Sequence, residues 1–282
     1  MKKGCLIVLV LLLLLLALSA TIAPLQKKVP SGEKVAIVRI EGPIMDSKTA
    51  IEEIRDYARN QSIRAIVLRV DSPGGAVAPA QEIYEEVRKA VSKKKVVVSM
   101  GSLAASGGYY ISAPASRILA NPGTLTGSLG VIMEIPNIEG LMGKLGVKAE
   151  VIKSGRHKDI ASVFRGIGKE ERGILQGVLD DVHEQFIKAV AEGRKMSLEN
   201  VKELADGRIF TGRQAVEVGL VDELGNLEDA VNVAAKLAGI KGEPEVVDKK
   251  EKPSIIDFLR GKLPQELSDL FPTVKIKYVL AP

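Results

Sequence analysis

The chain has 282 residues, 46% hydrophobic and 27% charged, room for one large domain or two modest ones at ~100–200 residues each. Forty basic against 35 acidic side chains leave +5, with Lys2 and Lys3 at the extreme N-terminus; aromatics are 4% and Trp is absent, so neither a basic surface nor stacking platforms argue for a nucleic-acid partner. One Cys excludes an intramolecular disulfide, and one Cys with two distant His falls short of a structural zinc site; His183-Glu184 begins like HExxH, but position 187 is Ile.

After Lys3 no charge appears until Lys27, so residues 4–26 are 23 uncharged positions, with leucine throughout Leu11 to Leu16. As a helix this stretch would be ~34 Å long, enough to cross a ~30 Å hydrocarbon core. An uncleaved signal anchor suits that length better than a cleaved signal, for which Ala20 or Ala23 would be the small-residue site. Cys5 precedes the apolar run and is not placed as a lipoprotein cysteine. Lysines on both flanks leave the positive-inside rule nearly silent. A short N-terminal tail before an export-type run places the bulk of the chain outside the cytoplasm, on a single-pass cell-membrane anchor.

From Lys34 strand-like and helix-like segments alternate. Val35 to Ile44 is a β-branched run, followed by an amphipathic stretch from Lys48 to Arg59. Ala65 to Val70 reads as a second strand, and Val77, Ala80, Ile83, Tyr84, Val87 and Val91 recur at helical spacing. Val96 to Ser99, Arg117 to Ala120 and Val147 to Ile152 read as further strands. Such β-α-β alternation predicts a mostly parallel sheet with helices on both faces, an α/β fold. Beyond Lys169 the pattern turns helical, with an apolar stripe from Ile174 to Val190 and helices near Leu198–Ala205, Gly212–Val218 and Leu227–Leu237. Residues 241–253 are charged and Pro-bracketed, a linker by composition, and Val274, Ile276 and Tyr278 alternate with lysines as a two-faced strand does. The expected division is an anchor at 1–29, one globular domain at 30–240, and a linker with C-terminal extension at 241–282.

Three patterns could carry chemistry. Asp71-Ser72-Pro73-Gly74-Gly75 lies between a strand and a helix; its glycines suit either a tight turn or an oxyanion hole of backbone N–H groups. Ser106, in Gly101-Ser102-Leu103-Ala104-Ala105-Ser106-Gly107-Gly108, has small neighbours that permit a sharp turn, as at a nucleophile elbow. The competing reading is a helix cap, which Ser102 could equally supply. The third pattern is Lys153-Ser154-Gly155-Arg156-His157-Lys158-Asp159-Ile160, where His157 and Lys158 are loop candidates for a base. His183, on the flank of the long amphipathic helix, reads as structural.

These motifs together resemble the signal peptide peptidase A family of serine proteases, short single-repeat form, within the Clp-protease and crotonase-like superfamily. The resemblance runs from about Lys34 to Leu237 and rests on DSPGG, SLAASGGYYIS (102–112), TGSLGVI (126–132), KSGRHKDI (153–160) and GRIFTGRQAVEVGLVDELG (207–225). It implies Ser106 as nucleophile, Lys158 as general base of a Ser-Lys dyad, and Ser128 as the residue orienting the amine. It implies an oxyanion hole from Gly75 with Gly74 or Gly107. It further implies no cofactor or metal, apolar signal peptides as substrates, and a ring-shaped homo-oligomer, an octamer, whose dyads are shared between neighbouring chains.

A lysine at the reference pKa of ~10.4 is charged at neutral pH and accepts no proton. Burial, as at a subunit interface, can depress a lysine by ~3–5 units, so an alkaline activity optimum is expected. A Ser-His peptidase with His157 as base, a crotonase-like acyl-CoA enzyme drawing on Asp71 and Glu134, and an inactive membrane scaffold are the competing functions.

Overall fold

The pairs Val35-Ala36-Ile37-Val38 and Ala65-Ile66-Val67-Leu68 are buried throughout, the pattern of strands covered on both faces. In the computed structural model, which describes residues 33–248 and 276–279, they form the centre of one sheet. Its main path runs β10 (Glu245–Asp248), β1 (Lys34–Glu41), β2 (Ile63–Ser72), β4 (Lys95–Ala105), β5 (Arg117–Ala120) and β9 (Glu223–Leu224). Every pair along that path is parallel. The far end of β4 also pairs with β6 (Leu125–Gly127), and β8 (Ile209–Thr211) joins β6 antiparallel.

Strand pleating divides the core into two layers. Ala36, Val38, Ile66, Leu68, Val98 and Met100 face one side. There they meet Ile54 of α1 (Lys48–Arg59), Ile83 and Val87 of α2 (Val77–Val91), and Phe186 of α5 (Lys169–Arg194). Val35, Ile37, Ala65, Val67, Val97 and Leu119 face the other, under Ala230, Val231 and Ala234 of α8 (Leu227–Leu237). Helices therefore cover both faces, as the alternation predicts. Each fully buried aliphatic side chain contributes about 1.5–3 kcal/mol, which makes the sheet a rigid base for its loops.

The six-residue α3 (Gly107–Ser112), directly after β4, is buried along its whole length. Tyr109 donates its hydroxyl hydrogen to Leu220 O at 2.8 Å, and Tyr110 sits between Tyr84 and Phe186 at ring distances of 4.9 and 5.0 Å. The remaining short elements are β3 (Gly74–Ala76), β7 (Ile132–Met133), α4 (Glu139–Lys144), α6 (Leu198–Leu204), α7 (Gly212–Glu217) and β11 (Ile276–Val279).

Two expectations change. Val147 to Ile152 form no strand: all six residues are exposed, and no neighbouring strand offers a ladder. The charged stretch read as a linker contains β10, pairing Lys34↔Glu245 through Ile37↔Asp248. Its charges do not solvate a linker but sit on a sheet edge in pairs, Lys34 with Glu245 at 2.7 Å and Arg39 with Asp248 at 2.7 Å. The tail strand exists, and it belongs to a second, three-stranded sheet of order β3-β11-β7. The expected anchor at residues 1–29 lies outside the described residues. Among the described residues, no helix is long and apolar enough to cross a membrane.

Candidate active site

Ser106 stands where β4 ends and α3 begins, at φ 53 and ψ −117. A non-glycine residue there is strained, and strain of this kind persists only when packing over-determines it. Its N–H donates to Gly127 O at 2.8 Å and its carbonyl accepts from Tyr110 N at 2.8 Å. The side chain makes no capping bond, which removes the cap reading for Ser106. The residue is fully buried, and among the described residues Oγ has no hydrogen-bond partner. A buried hydroxyl without a partner costs ~1–3 kcal/mol, and none of the described residues offsets that cost here. Ser102, the alternative cap, is exposed.

The DSPGG turn lies beside it. A Cβ on Gly108 would stand 2.7 Å from Ser72 O, so α3 and the end of β2 touch backbone to backbone. Ser72 Oγ accepts from Gly74 N at 3.1 Å, which uses the Gly74 donor. Gly75 approaches the 42–44 loop so closely that a Cβ would lie 2.1 Å from Ile44 O. Ile44 N donates to Gly74 O, and Ala76 N to Ile44 O, each at 2.8 Å. The opposite edge of β3 pairs antiparallel with β11, Tyr278 opposite Gly75, and β11 pairs in turn with β7, Ile276 opposite Met133. An extended chain thus lies between two short strands, with α3 packed against β3 and β11 alike.

Ser128 follows Gly127, whose carbonyl holds the Ser106 N–H. It is itself at φ 51 and nearly buried, its N–H donating to Arg208 O at 2.8 Å. Ser128 also borders a cleft of about 600 Å³ shared with Met133, His183 and Asp206. Nε2 of His183 donates to Leu129 O at 3.3 Å, consistent with a structural histidine.

Lys158 is elsewhere. It is exposed on an irregular loop, residues 153–166, that is tied to the first turn of α5. Arg165 joins Asp159 and Glu171, and Lys153 joins Asp159. His157 Nε2 lies 3.5 Å from Glu170, and His157 Nδ1 is buried with no partner among the described residues. From Glu171 to His183, where α5 touches Leu129, the helix rises about 18 Å. The chain therefore brings together Ser106, Ser128 and the glycine turn, and holds the Lys158 loop apart from them.

Hydrogen bonds from Arg165 first, then Lys153, hold Asp159 well below the usual carboxylate range; those from Arg165 first, then the Gly168 N–H, hold Glu171 at about 2. Sequence reasoning missed this network. The available signal was Arg165 followed by Glu170-Glu171 at a helix start, where acidic residues also suit the helix dipole. Of the carboxylates weighed for acyl-CoA chemistry, Asp71 accepts Leu103 N at 3.1 Å and ties β2 to β4, and Glu134 is exposed. Among the described residues no three His, Cys, Asp or Glu side chains gather as ligands of a metal would.

Two family models match the chain: peptidase family S49 over residues 88–241 and Clp protease over residues 33–122. The Synechocystis protein slr0021, a candidate protease by name, is 45% identical over 227 residues, 80% of this chain and 82% of the relative. The chain belongs to peptidase family S49. Other relatives are longer. Protease 4 of Salmonella typhi is 36% identical over 266 residues, 88% of this chain but 43% of that protein. The chloroplastic serine protease SPPA of Arabidopsis thaliana is 32% identical over 212 residues, 73% of this chain and 31% of that protein. For this S49 chain the parallel sheet with helices on both faces fits the Clp-protease-like fold, and the family resemblance drawn from the five motifs stands.

Proposed function

We propose that the chain is a membrane-anchored, extracytoplasmic serine endopeptidase that cleaves apolar peptides, signal peptides after their release, with a Ser106–Lys158 dyad. Ser106 Oγ attacks the scissile carbonyl while the neutral Lys158 amine takes its proton. The Gly75 and Gly107 N–H groups receive the oxyanion, with Gly74 shaping the turn. The Lys158 ammonium then protonates the leaving amine, and water hydrolyses the acyl-enzyme by the same base. Ser128 orients the amine.

The observation that carries this reading is the Ser106 hydroxyl, unpartnered among the described residues, on a strained elbow beside a glycine strand that pairs with the extended β11. The way β11 lies between β3 and β7 supports a peptide as ligand, bound by strand addition. The distance between the Lys158 loop and Ser128 along α5 supports a dyad built from two neighbouring chains of a ring, for which we propose eight members. Outward-facing Leu141, Leu145, Val147, Val151, Ile152 and Phe164 give that ring an apolar contact.

The test follows cleavage of a leucine-rich fluorogenic peptide by the full-length chain in detergent, from pH 6 to 10. Wild type should gain activity with pH, while Ser106→Ala and Lys158→Ala should each lose it. Because Ser106 Oγ has no partner among the described residues, Ser106→Ala should not lower Tm. Activity in Lys158→Ala would move the base to His157, and a flat wild-type profile would exclude a titrating lysine.

A further inference from the structure

Arg165 is saturated. Its guanidinium has five N–H donors, and each has an acceptor. Nε donates to Asp159 Oδ2 at 2.8 Å, and Nη1 to Glu171 Oε2 at 2.8 Å and Gly166 O at 3.0 Å. Nη2 donates to Glu171 Oε1 at 2.5 Å and to Asp159 O at 3.2 Å. One side chain thus ties the backbone and the carboxylate of the residue after Lys158 to the first turn of α5. Glu171 is itself fixed, accepting Gly168 N at 3.1 Å, and is one of the few buried carboxylates. The loop between has no regular structure of its own: short turns link Lys158 N to Gly155 O, Ile160 N to His157 O and Ser162 N to Asp159 O. Among the described residues, the guanidinium is the one side-chain group that binds Asp159 and Glu171 together; Arg156 on Glu170, Gly166 N on Glu139 and Ile138 N on Val163 O hold other points of the loop.

We infer that Arg165 is a positioning residue for the general base, holding the Lys158 loop on α5 and neutralising the carboxylate of Asp159 beside it. The inference rests on Lys158 being that base. A lysine that must shed its proton is poorly served by a free carboxylate at its side, because an adjacent negative charge favours the ammonium form. The charges around Lys158 are arranged against that. Asp159 is claimed by Arg165 and Lys153, while Glu170 is claimed by Arg156 and contacted by His157. Glu171 is claimed by Arg165, and Glu139 of α4 accepts Gly166 N at 3.0 Å. Every carboxylate of the loop, α4 and the α5 first turn named here is engaged. Lysine in place of Arg165 could not reproduce the bridge, since a single ammonium cannot span both carboxylates in the planar fork an arginine offers.

The experiment measures kcat and KM against pH for the full-length chain and for Arg165→Ala, Arg165→Lys, Glu171→Gln, Lys158→Ala and the double variant Arg165→Ala/Asp159→Asn. Arg165→Ala should lower kcat about 10–100-fold, the scale expected when a reacting group is misplaced by about 1 Å, with KM within about twofold. Its activity should also rise at higher pH than wild type, because the Asp159 carboxylate is released. The double variant should return that rise to the wild-type pH while kcat stays low. Glu171→Gln should lower kcat without moving the rise, and Arg165→Lys should fall between. If Arg165→Ala does not fold, Glu171→Gln and Arg165→Lys carry the same comparison. Wild-type kcat in the Arg165 and Glu171 variants, with Lys158→Ala inactive, overturns this inference alone. So does a loss explained by the unfolded fraction, with the pH of the rise unchanged. Activity in Lys158→Ala overturns the base assignment and this inference with it.

Discussion

Ser106 keeps its hydroxyl on a backbone that only close packing can hold: α3 is buried end to end, and Gly108 lies against Ser72 O. The same closeness defines Gly75. Substituting Gly75→Ala places a Cβ 2.1 Å from Ile44 O, so backbone must move where the turn meets the nucleophile. We predict a loss of ~1–3 kcal/mol of stability, the range for overpacking, and a fall in kcat larger than the unfolded fraction explains. Parallel denaturation and kinetic measurements check it. Residues of this kind are legible in a sequence because small side chains around one serine leave few other purposes. Arg165 is not, because its partner Glu171 comes from a helix and its other partner, Asp159, from an irregular loop. Neither contact follows from a period or a motif. Nor does spacing reveal that Asp71 is taken by Leu103 N–H.

At the scale of elements, the central strands and long helices follow directly from apolar runs and 3.6-residue stripes. The edges do not, because short strands there owe their existence to partners. β10 is an edge strand only because β1 is beside it, and Val147 to Ile152 are not a strand because nothing is. The 153–166 loop is held by charge, which makes it sensitive to acid. Arg165 depresses the pKa values of Asp159 and Glu171, the latter to about 2. Their stabilisation is therefore fully present above the unfolded values of ~3.9 and ~4.3 and lost as pH falls through the folded ones. Hydrogen-exchange protection of residues 153–166 should hold at pH 5 and collapse toward pH 2, before that of β2 and β4. Equal loss in loop and sheet would contradict this. A second consequence concerns β11, which occupies the edge of β3. Deleting residues 272–282 should lower KM for added peptide without changing kcat; an unchanged KM would show that the strand does not compete.

For the whole molecule, the exposed apolar side chains matter most. Ile152 is 103% exposed and Leu145 68%, on a segment that also carries Leu141 and Val147. Exposed side chains of this size are the ones that the proposed contact between chains would cover. Ile152→Asp removes no intrachain packing, so it should leave Tm near wild type while reducing the mass measured by light scattering and the activity together. An unchanged mass would place the contact elsewhere. Neither the exposure of these side chains nor the place of the Lys158 loop on α5 is written in a linear motif; the folded chain is needed to see that Ser106 Oγ has no partner among the described residues.

The most direct measurement mixes two inactive chains. Ser106→Ala and Lys158→Ala, unfolded together and refolded into mixed oligomers, should recover about one quarter of wild-type activity, since random assembly pairs intact Ser106 with intact Lys158 at that fraction of interfaces. Mixed oligomers that form yet remain inactive would contradict a site shared between neighbouring chains.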